Sequence, residues 1–383
     1  NNDRRVRVAA IDQKTAKVLP WTLEPDRPPR TLAGNLQGDR LFVGGEFLGL
    51  SEHNRPFLAS ILPDNNISDW RPAPTAQVTK LAIHNDTLYV LGRFTTIGVT
   101  PQSRGRGAAF ELSTRSLLAW NPQLTSADQW GNDSVVAFDL AADGNTVYVG
   151  GQFDFAAGQD SVGLVATDPA SGARLGDALY AQMRNGKRPE VRALALGTNG
   201  SLYVGGEFGG INNVASAFLA RINNETRQPI DWLNPLTGIV RSIAITPDRI
   251  YLAAAGQDLE HPNGFQYKDG NRDTVGRLAA LDAATHNVRP LPDKPDLPVF
   301  AMLSSGGRIY LAGDFTTIGS STRWRLGAIN ASTGQLTDWA PQLDTSYTRD
   351  QVHVLAVNNG SIYAGGNFIT KDGRSMHLGE FAP

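Results

Sequence analysis

The chain has 383 residues, with 35 Lys and Arg residues against 37 Asp and Glu residues, and it contains no Cys. A net charge of −2 provides no field to attract nucleic acid, and the missing thiols exclude disulfide scaffolds, thiolate nucleophiles and zinc ribbons. Apolar runs of about 18 residues, which a membrane-spanning helix needs, do not occur. The 40 Gly and 22 Pro residues interrupt the chain too often for long helices, so an all-β fold is predicted.

One apolar segment that ends in small residues recurs along the chain and predicts a β-strand, which we call strand b. Its copies are Leu41 to Phe47 (LFVGGEF), Leu88 to Phe94 (LYVLGRF), Val147 to Phe153 (VYVGGQF), Leu202 to Phe208 (LYVGGEF), Ile250 to Gly256 (IYLAAAG), Ile309 to Phe315 (IYLAGDF) and Ile362 to Phe368 (IYAGGNF). Successive copies start 47 to 59 positions apart, which is the length of four short strands with their turns.

The segments around strand b predict its partners. A short apolar run and a tight turn precede it, as in VRALAL before Asn199-Gly200, and predict a hairpin partner, strand a. After strand b, a polar residue is followed three positions later by Thr or Ser, which predicts a capped turn between strands c and d. The pairs are Asp12 and Thr15, Glu111 and Thr114, Asp168 and Ser171, Asn223 and Thr226, Asp282 and Thr285, and Asn330 and Thr333. Strand d carries Trp in five copies, at Trp21, Trp70, Trp120, Trp232 and Trp339.

A four-stranded meander repeated seven times predicts a seven-bladed β-propeller of antiparallel blades. In such a fold Gly allows neighbouring sheets to approach, and an aromatic ring fills the space between them. Val6 to Trp21 resembles strands c and d, and Met376 to Phe381 also resembles strand c, so one strand is surplus. We expect both chain ends to build one blade that closes the ring, and residues 1–383 to form a single propeller domain.

The combination of L-Y-V-G-G-x-F with L-A-A-I-D-x-x-T-G-x-x-x-x-W-x-P resembles the roughly sixty-residue β-propeller repeats of uncharacterised secreted bacterial proteins. This resemblance covers nearly the whole chain. It implies an extracellular or cell-surface location, and it implies no catalytic residues.

Two further resemblances concern cofactors. The glycine doublet followed by a Trp in strand d is similar to kelch repeats, which occur in binding modules and in copper radical oxidases, but the Tyr–Cys cofactor of those oxidases needs a Cys. Ala328 to Trp339 is similar to the tryptophan-docking motif of quinoprotein dehydrogenases. Two copies here end in Leu179-Tyr180 and Leu291-Pro292 without Trp. No cofactor is therefore expected from either resemblance.

Loop length distinguishes two faces of the predicted propeller. The a–b and c–d turns are short and uniform, whereas the b–c and d–a connections vary and emerge together on one face, which we call the variable face. Each strand b ends toward this face with one polar residue. These residues are Glu46, Arg93, Gln152, Glu207, Asp314 and Asn367. They predict a ring of ligand-binding side chains at the mouth of the central channel; the alternative is that each one solvates or caps its own strand end.

Aromatic residues outside the repeat pattern fall on or beside the loops of the variable face. They are Trp130, Phe265, Tyr267, Trp324 and Tyr347. Such rings suit stacking on sugars or capture of a partner, and their alternative role is to fold back as small cores under the loops. Asp269, Asn271 and Asp273 alternate as calcium ligands do, but they lack the Gly and the Glu that complete such a loop. Calcium therefore remains an option beside a plain polar turn.

The leading hypothesis is a non-enzymatic extracellular propeller that binds a surface polysaccharide or a protein through its variable face. The six His residues show no metal-ligand spacing, and no coherent catalytic set is visible. One alternative is a carbohydrate-active hydrolase or lyase that uses carboxylates at the channel mouth, such as Glu46 and Glu207. A second alternative is a structural subunit that self-assembles into a surface layer or filament.

Overall fold

A computed structural model describes residues 7–19, 25–35, 37–127, 135–232, 234–254, 265–267, 274–341 and 351–368. Across these ranges the regular secondary structure consists of β-strands, and no α-helix is present. The described residues accordingly contain no helix that could cross a membrane. The predicted all-β fold is confirmed.

The strands are short and numerous. The first eleven are β1 (Val8–Asp12), β2 (Pro29–Gly34), β3 (Leu41–Gly45), β4 (Gly49–Leu50), β5 (His53–Asn54), β6 (Leu58–Ile61), β7 (Val78–His84), β8 (Thr87–Gly92), β9 (Thr96–Ile97), β10 (Gln102–Ser103) and β11 (Gly107–Glu111). The next thirteen are β12 (Val136–Ala142), β13 (Val147–Gln152), β14 (Phe155–Ala156), β15 (Gln159–Asp160), β16 (Leu164–Thr167), β17 (Glu190–Leu196), β18 (Ser201–Glu207), β19 (Gly210–Ile211), β20 (Val214–Ala215), β21 (Leu219–Asn223), β22 (Leu236–Thr237), β23 (Val240–Ile245) and β24 (Arg249–Ala254). The last eleven are β25 (Phe265–Tyr267), β26 (Thr274–Gly276), β27 (Leu278–Asp282), β28 (Val288–Arg289), β29 (Val299–Ser305), β30 (Arg308–Gly313), β31 (Thr317–Ile318), β32 (Ser321–Thr322), β33 (Leu326–Asn330), β34 (Gln351–Asn358) and β35 (Ser361–Asn367).

Every predicted copy of strand b is the middle strand of a sheet, between a strand a and a strand c. In the described ranges these sheets have the orders β2-β3-β6, β7-β8-β11, β12-β13-β16, β17-β18-β21, β23-β24-β27-β28, β29-β30-β33 and β34-β35-β1. The last sheet takes its strand c from the other end of the chain, because Val8 pairs with Gly365 and Asp12 pairs with Ser361. Met376 to Phe381, the competing strand c, lies outside the described residues.

Strand d is shorter than predicted. Only the sheet of β24 has a regular fourth strand among the described residues, and elsewhere the contact with strand c is a single bridge, such as Phe110 with Leu117 or Ile329 with Leu336. Pro122 and Pro341 follow the strand-d Trp in two of these copies. Because Pro has no N–H, it prevents any further extension of the ladder beyond that point.

The chain divides into two compact units, Asn1–Leu81 with Leu291–Pro383, and Ala82–Pro290. Within each unit the apolar cores lie between neighbouring sheets. In the first unit, Ala9, Ala328 and Ile362 share one core. In the second unit, Tyr89 and Val149 share another core. The aromatic residue predicted to fill the space between sheets is therefore part of these cores.

The strand-d Trp residues have one repeated contact, with the aromatic residue of strand b. Each ring meets its partner edge-on, at centroid distances of 4.8 to 6.3 Å. The pairs are Phe42 with Trp70, Tyr89 with Trp120, Tyr203 with Trp232, and Tyr310 with Trp339. Such edge-to-face pairs add to the gain from burial. Trp21 lies outside the described residues.

The predicted capped turns between strands c and d are confirmed. In the first of them the Thr15 amide and hydroxyl both donate to Oδ1 of Asp12, each at 2.6 Å. The next residue, Ala16, has a φ of +61°, so the turn closes in the left-handed region. Asp168, Asn223, Asp282 and Asn330 accept the equivalent amide bonds in their own turns. Side-chain oxygens thus satisfy backbone amides that the turn would otherwise leave open.

Candidate functional site

Strand a is irregular at one fixed place, near its first residue. In six sheets the register of strand a against strand b shifts by one residue, which defines a β-bulge. In β17, for example, Val191 pairs with Gly206 and Ala193 pairs with Gly205, so Arg192 is the extra residue. The six extra residues are Arg30, Phe138, Arg192, Arg241, Phe300 and His353.

The glycine doublet of strand b makes room for this bulge. A Cβ on the first glycine, Gly205, would lie 2.5 Å from Cγ1 of Val240, which belongs to the next sheet. A Cβ on the second glycine, Gly206, would overlap the carbonyl oxygen of Glu190 in the bulged strand. In this sheet the two glycines therefore serve different contacts: the first allows the neighbouring sheet to approach, as predicted, and the second lies against the bulged strand. The sheet of β24 forms the same bulge with Ala253 and Ala254 at these positions, so the bulge also accepts alanine there.

The bulge turns one side chain per sheet out of the core. Val191 and Ala193 are 0% and 2% exposed, while Arg192 between them keeps about a third of its side chain exposed. The other five extra residues are likewise at least partly exposed. None of the six is acidic, and all are cationic, aromatic or His. A bulge that re-aims a side chain at the edge of a sheet is a frequent feature of binding sites.

Adjacent bulges form a row in each unit, because β17 packs against β12 and β23, and β34 packs against β29 and β2. We call Phe138, Arg192 and Arg241 the second-unit row, and Phe300, His353 and Arg30 the first-unit row.

In the second-unit row the side chains of two sheets touch. The guanidinium of Arg192 lies 5.5 Å from the ring centroid of Phe138, a cation–π contact. Arg192 also forms an ion pair with Oε2 of Glu190, and Nε2 of Gln152 donates to Oε1 of the same carboxylate at 3.3 Å. Gln152, one of the predicted channel-mouth residues, is thereby joined to the row.

Two carboxylates face each other beside this row. Glu190 and Glu207 are directly paired across the ladder of β17 and β18. Like charges in that position repel each other, and a cation accompanies each of them. Nζ of Lys187 lies 2.8 Å from Oε1 of Glu207, as Arg192 lies beside Glu190. The site therefore holds two carboxylates, Glu190 and Glu207, each paired with one cation, Arg192 or Lys187.

The first-unit row has the same chemistry in another arrangement. Nε and Nη2 of Arg30 both donate to Oε1 of Glu46, at 3.1 and 2.6 Å, and the Arg30 side chain is 53% exposed. The rings of Phe300 and His353 stack at 5.2 Å with 15° between their planes. Glu46, a predicted channel-mouth residue, is thus held by a bulged Arg of its own sheet.

The other predicted channel-mouth residues are less closely tied to the rows. Oδ1 of Asp314 lies 3.6 Å from Nη1 of Arg325. The carbonyl of Arg93 accepts a hydrogen bond from Arg106, and the Arg93 side chain is exposed. Asn367 is exposed at the end of β35. Of the six predicted residues, the structure thus brings Glu46, Gln152 and Glu207 into the interactions described above. Arg93, Asp314 and Asn367 lie at the ends of their own strands.

Most of the predicted loop aromatics are outside the described side chains. Trp324 is partly buried, with the Arg325 guanidinium 5.7 Å from its ring centroid. Phe265 is 1% exposed and shares a core with Leu236, so it folds back under the loops and is not available to a ligand. For Tyr267 the structure describes the backbone pairing with Leu236. Trp130 and Tyr347 lie outside the described residues, as do Asp269, Asn271 and Asp273 of the calcium hypothesis. Within the described part of the chain, no group of three His, Asp or Glu side chains could hold a metal ion.

The b–c connections are more regular than predicted. Five of them fold back as two-residue ladders, β4-β5, β9-β10, β14-β15, β19-β20 and β31-β32. Each has a fully buried small or aliphatic residue three positions after the Phe of strand b, such as Ile97 after Phe94 or Ile318 after Phe315. That spacing is visible in the sequence. The five described hairpins therefore share one backbone pattern and one buried residue.

The bulged residues were missed by the sequence analysis, although a signal exists. In Val191-Arg192-Ala193, Val240-Arg241-Ser242 and Val352-His353-Val354 a large polar residue interrupts an apolar strand start. Because apolar cores lie between neighbouring sheets, a large polar residue at this point needs a way out of the core, and a bulge provides it. Glu190 was missed because its importance depends on the residue opposite, which spacing along one strand does not reveal.

Comparison with known proteins gives a short match to a propeller family. The model of a family described as a domain of unknown function (DUF5122) β-propeller matches residues 198–225. No curated protein sequence matches the chain. Among solved structures, the computationally designed Ika8 protein is similar with a TM-score of 0.49 and 14% identity, over 90% of this chain and 96% of that one; this likeness is too weak to support an argument. The family match and the antiparallel sheets together support a β-propeller fold built from repeats of a family of unknown function.

Proposed function

We propose that this protein is a non-enzymatic extracellular binding protein, a closed seven-bladed propeller that recognises a polysaccharide through its bulge rows and the neighbouring strand ends. The observation that carries the proposal is the pair of rows. A bulge in strand a turns Arg, Phe or His outward in six of the described sheets, while the residues on either side of it are buried or half-buried.

The chemistry of the rows suits sugars. Phe138 and Phe300 offer ring faces to the apolar face of a pyranose, and Arg192 with Gln152 and Glu190 offers donors and acceptors to hydroxyl groups. The side chains are held by one another through the cation–π contact, the ion pair and the ring stack. Because they are already ordered, binding would cost little additional side-chain entropy.

Retention on immobilised polysaccharides would test this function. We expect the protein to be retarded in native gels that contain its ligand, and the double variant Phe138→Ala with Arg192→Ala to lose most of that retardation. Lys14→Ala removes an exposed cation from a c–d turn and should leave binding unchanged. Absence of retention across neutral and acidic polysaccharides, with capture of a protein partner that the double variant also loses, would assign the rows to a protein ligand instead.

The ring and the location have their own tests. Seven copies of one sheet topology support a seven-bladed ring, and class averages from electron microscopy should show sevenfold rings rather than open arcs. The likeness to secreted bacterial repeats supports an extracellular protein. Cell fractionation should find it outside the cell or on its surface.

One observation favours a second candidate, a carbohydrate-active hydrolase. Glu190 lies opposite Glu207, and retaining glycosidases use two carboxyl groups about 5 to 5.5 Å apart. A panel of aryl glycosides and polysaccharides would show turnover that Glu190→Gln and Glu207→Gln each abolish. If the protein binds these compounds without turnover, and both Gln variants still bind them, the hydrolase is excluded and the binding function remains.

A further inference from the structure

A buried or half-buried Arg repeats behind three of the short b–c hairpins. Arg55, Arg104 and Arg323 follow the second strand of their hairpins, and each donates from Nη2 to a carbonyl two residues before the strand-d Trp. The acceptors are Ser68 at 3.2 Å, Leu118 at 2.9 Å and Thr337 at 3.0 Å. Nη1 of each Arg donates to the carbonyl of the preceding residue. The shared role is structural: the Arg joins the hairpin to strand d.

The copies differ in what surrounds this Arg. Next to Arg104 stands Gly105, whose amide donates to Oδ1 of Asn121 at 2.9 Å. At the corresponding positions beside Arg55 stand Pro56, which has no N–H to donate, and Arg71. The closing hydrogen bond of the Arg104 copy thus has no counterpart there, and a second cation takes the place of the amide.

A cavity of about 140 Å³ opens at this point of the first unit. Arg55 and Arg71 line it, with Asn54, Pro56, Pro72 and Ala73 as further walls, and no acidic side chain is among its lining residues. Arg55 is 8% exposed. Burial and the charge of Arg71 lower the pKa of Arg55, and Asp69 opposes them more weakly. Two cations therefore share a recess in which the hydrogen bonds of Arg55 go to the backbone carbonyls of Asn54 and Ser68.

We propose that this cavity is a subsite for one acidic sugar residue, a uronate whose carboxylate lies between Arg55 and Arg71 while its ring lies on Pro56 and Pro72. Guanidinium groups pair with carboxylates by directed, charge-assisted hydrogen bonds. Proline and alanine present the aliphatic surface that a pyranose ring contacts. The inference rests on the proposed polysaccharide binding and assigns it a class of sugar, yet it uses residues separate from both bulge rows.

The test is titration of the full chain with D-glucuronate and with D-glucuronamide, its neutral counterpart, followed by NMR or calorimetry. We expect glucuronate to bind and glucuronamide to bind at least about tenfold more weakly, since one charged hydrogen bond contributes about 1.5 to 3 kcal/mol. Arg71→Ala should weaken the binding of glucuronate by a similar factor. Arg27→Ala removes an exposed cation of the same unit that does not line the cavity, and it should change the affinity less than about twofold.

Three outcomes would overturn the inference. They are equal binding of glucuronate and glucuronamide, unchanged glucuronate affinity in Arg71→Ala, and displacement of glucuronate by inorganic phosphate at equal concentration, which would indicate a plain anion site. Failure of the proposed function looks different. In that case glucuronate binds and depends on Arg71, but acidic polysaccharides retain neither the wild type nor the bulge-row variants.

Discussion

The two ends of each sheet use repetition in opposite ways. At the c–d turn end both backbone and side chains repeat: Asp or Asn accepts the amide of a Thr or Ser three residues later, and a left-handed residue follows. At the bulge end the backbone repeats but the side chains do not, since the bulge position holds Arg in some sheets and Phe or His in others. The first end has its hydrogen bonds satisfied internally. The second presents varied groups to the outside.

This difference between the two ends of the sheets indicates where substitutions are tolerated. A position whose side chain serves the backbone cannot vary without a cost in stability, whereas a bulge holds its residue in place through the backbone alone. Variation at the bulge therefore changes the surface and leaves the sheet intact. The following predictions test this contrast, beginning with the change that should affect the backbone most.

Gly206→Ala should be the most damaging substitution. Its Cβ would overlap the Glu190 carbonyl of the bulged strand, so this backbone would have to shift from its present position, and we expect a loss of roughly 3 kcal/mol. Gly49→Ala is the matched control, because the nearest atom to its Cβ is 3.7 Å away. Urea unfolding midpoints measure both. Equal midpoints for the two variants would contradict the account of the doublet.

Trp120→Phe and Trp232→Phe should differ, although both residues occupy the strand-d slot. Nε1 of Trp120 donates to Oγ1 of Thr167 at 3.2 Å, and the ring is fully buried. Nε1 of Trp232 is buried without an acceptor among the described residues. We expect Trp120→Phe to cost about 2 kcal/mol and Trp232→Phe roughly 1 kcal/mol less. Denaturant unfolding gives the comparison, and a larger loss at Trp232 would refute it.

The capped turns should weaken in acid. The Thr15 hydroxyl and amide lower the pKa of Asp12, and Ser171 lowers that of Asp168 in the same way. A carboxyl with a lowered folded pKa stabilises fully above its unfolded value of about 3.9, and this stabilisation is lost as pH falls through the folded value.

Asn223 and Asn330 supply the natural control, because they cap equivalent turns without titrating. We therefore expect the double variant Asp12→Asn with Asp168→Asn to melt below the wild type at pH 6 and close to it at pH 2.5. The same difference in melting temperature at both pH values would argue against any contribution from these carboxylates.

Arg30→Ala should have the smallest effect on stability. Its ion pair with Glu46 is between side chains that are 53% and 37% exposed, and exposed pairs contribute at most about 1 kcal/mol. We expect an unfolding free energy within about 0.5 kcal/mol of the wild type. A loss comparable to that of Gly206→Ala would mean that the bulge depends on its side chain.

The regular parts of the fold could be predicted from the sequence because each depends on neighbours along the chain. The strand-b segments, the capped turns and the Trp slot all rest on fixed spacing. Strand d was predicted too long, since one Trp and one Pro mark where it ends but do not show how many ladder bonds precede them. The b–c hairpins were missed because loop length was taken as irregularity, although a buried residue recurs three positions after Phe47, Phe94 and Phe153.

The site was predictable only in part. Glu46, Gln152 and Glu207 were found because they follow the glycine doublet. Their partners Arg30, Glu190 and Lys187 were not, since pairing across a ladder depends on register, and the bulge changes the register by one residue. The cavity beside Arg55 lies where Pro56 and Arg71 replace the hydrogen-bonded Gly105 and Asn121 of another copy. Such a difference becomes informative only when the copies are compared in three dimensions.

The sheet of β34, β35 and β1 joins one strand to two others that are synthesised more than 300 residues later, because Val8 pairs with Gly365. During synthesis β1 has to wait for these partners, while sheets made of consecutive strands can form at once. An exposed apolar segment in this waiting period is a hazard for aggregation. Production of the protein should therefore respond more to chaperones that shield the nascent β1 than to the speed at which any single sheet folds.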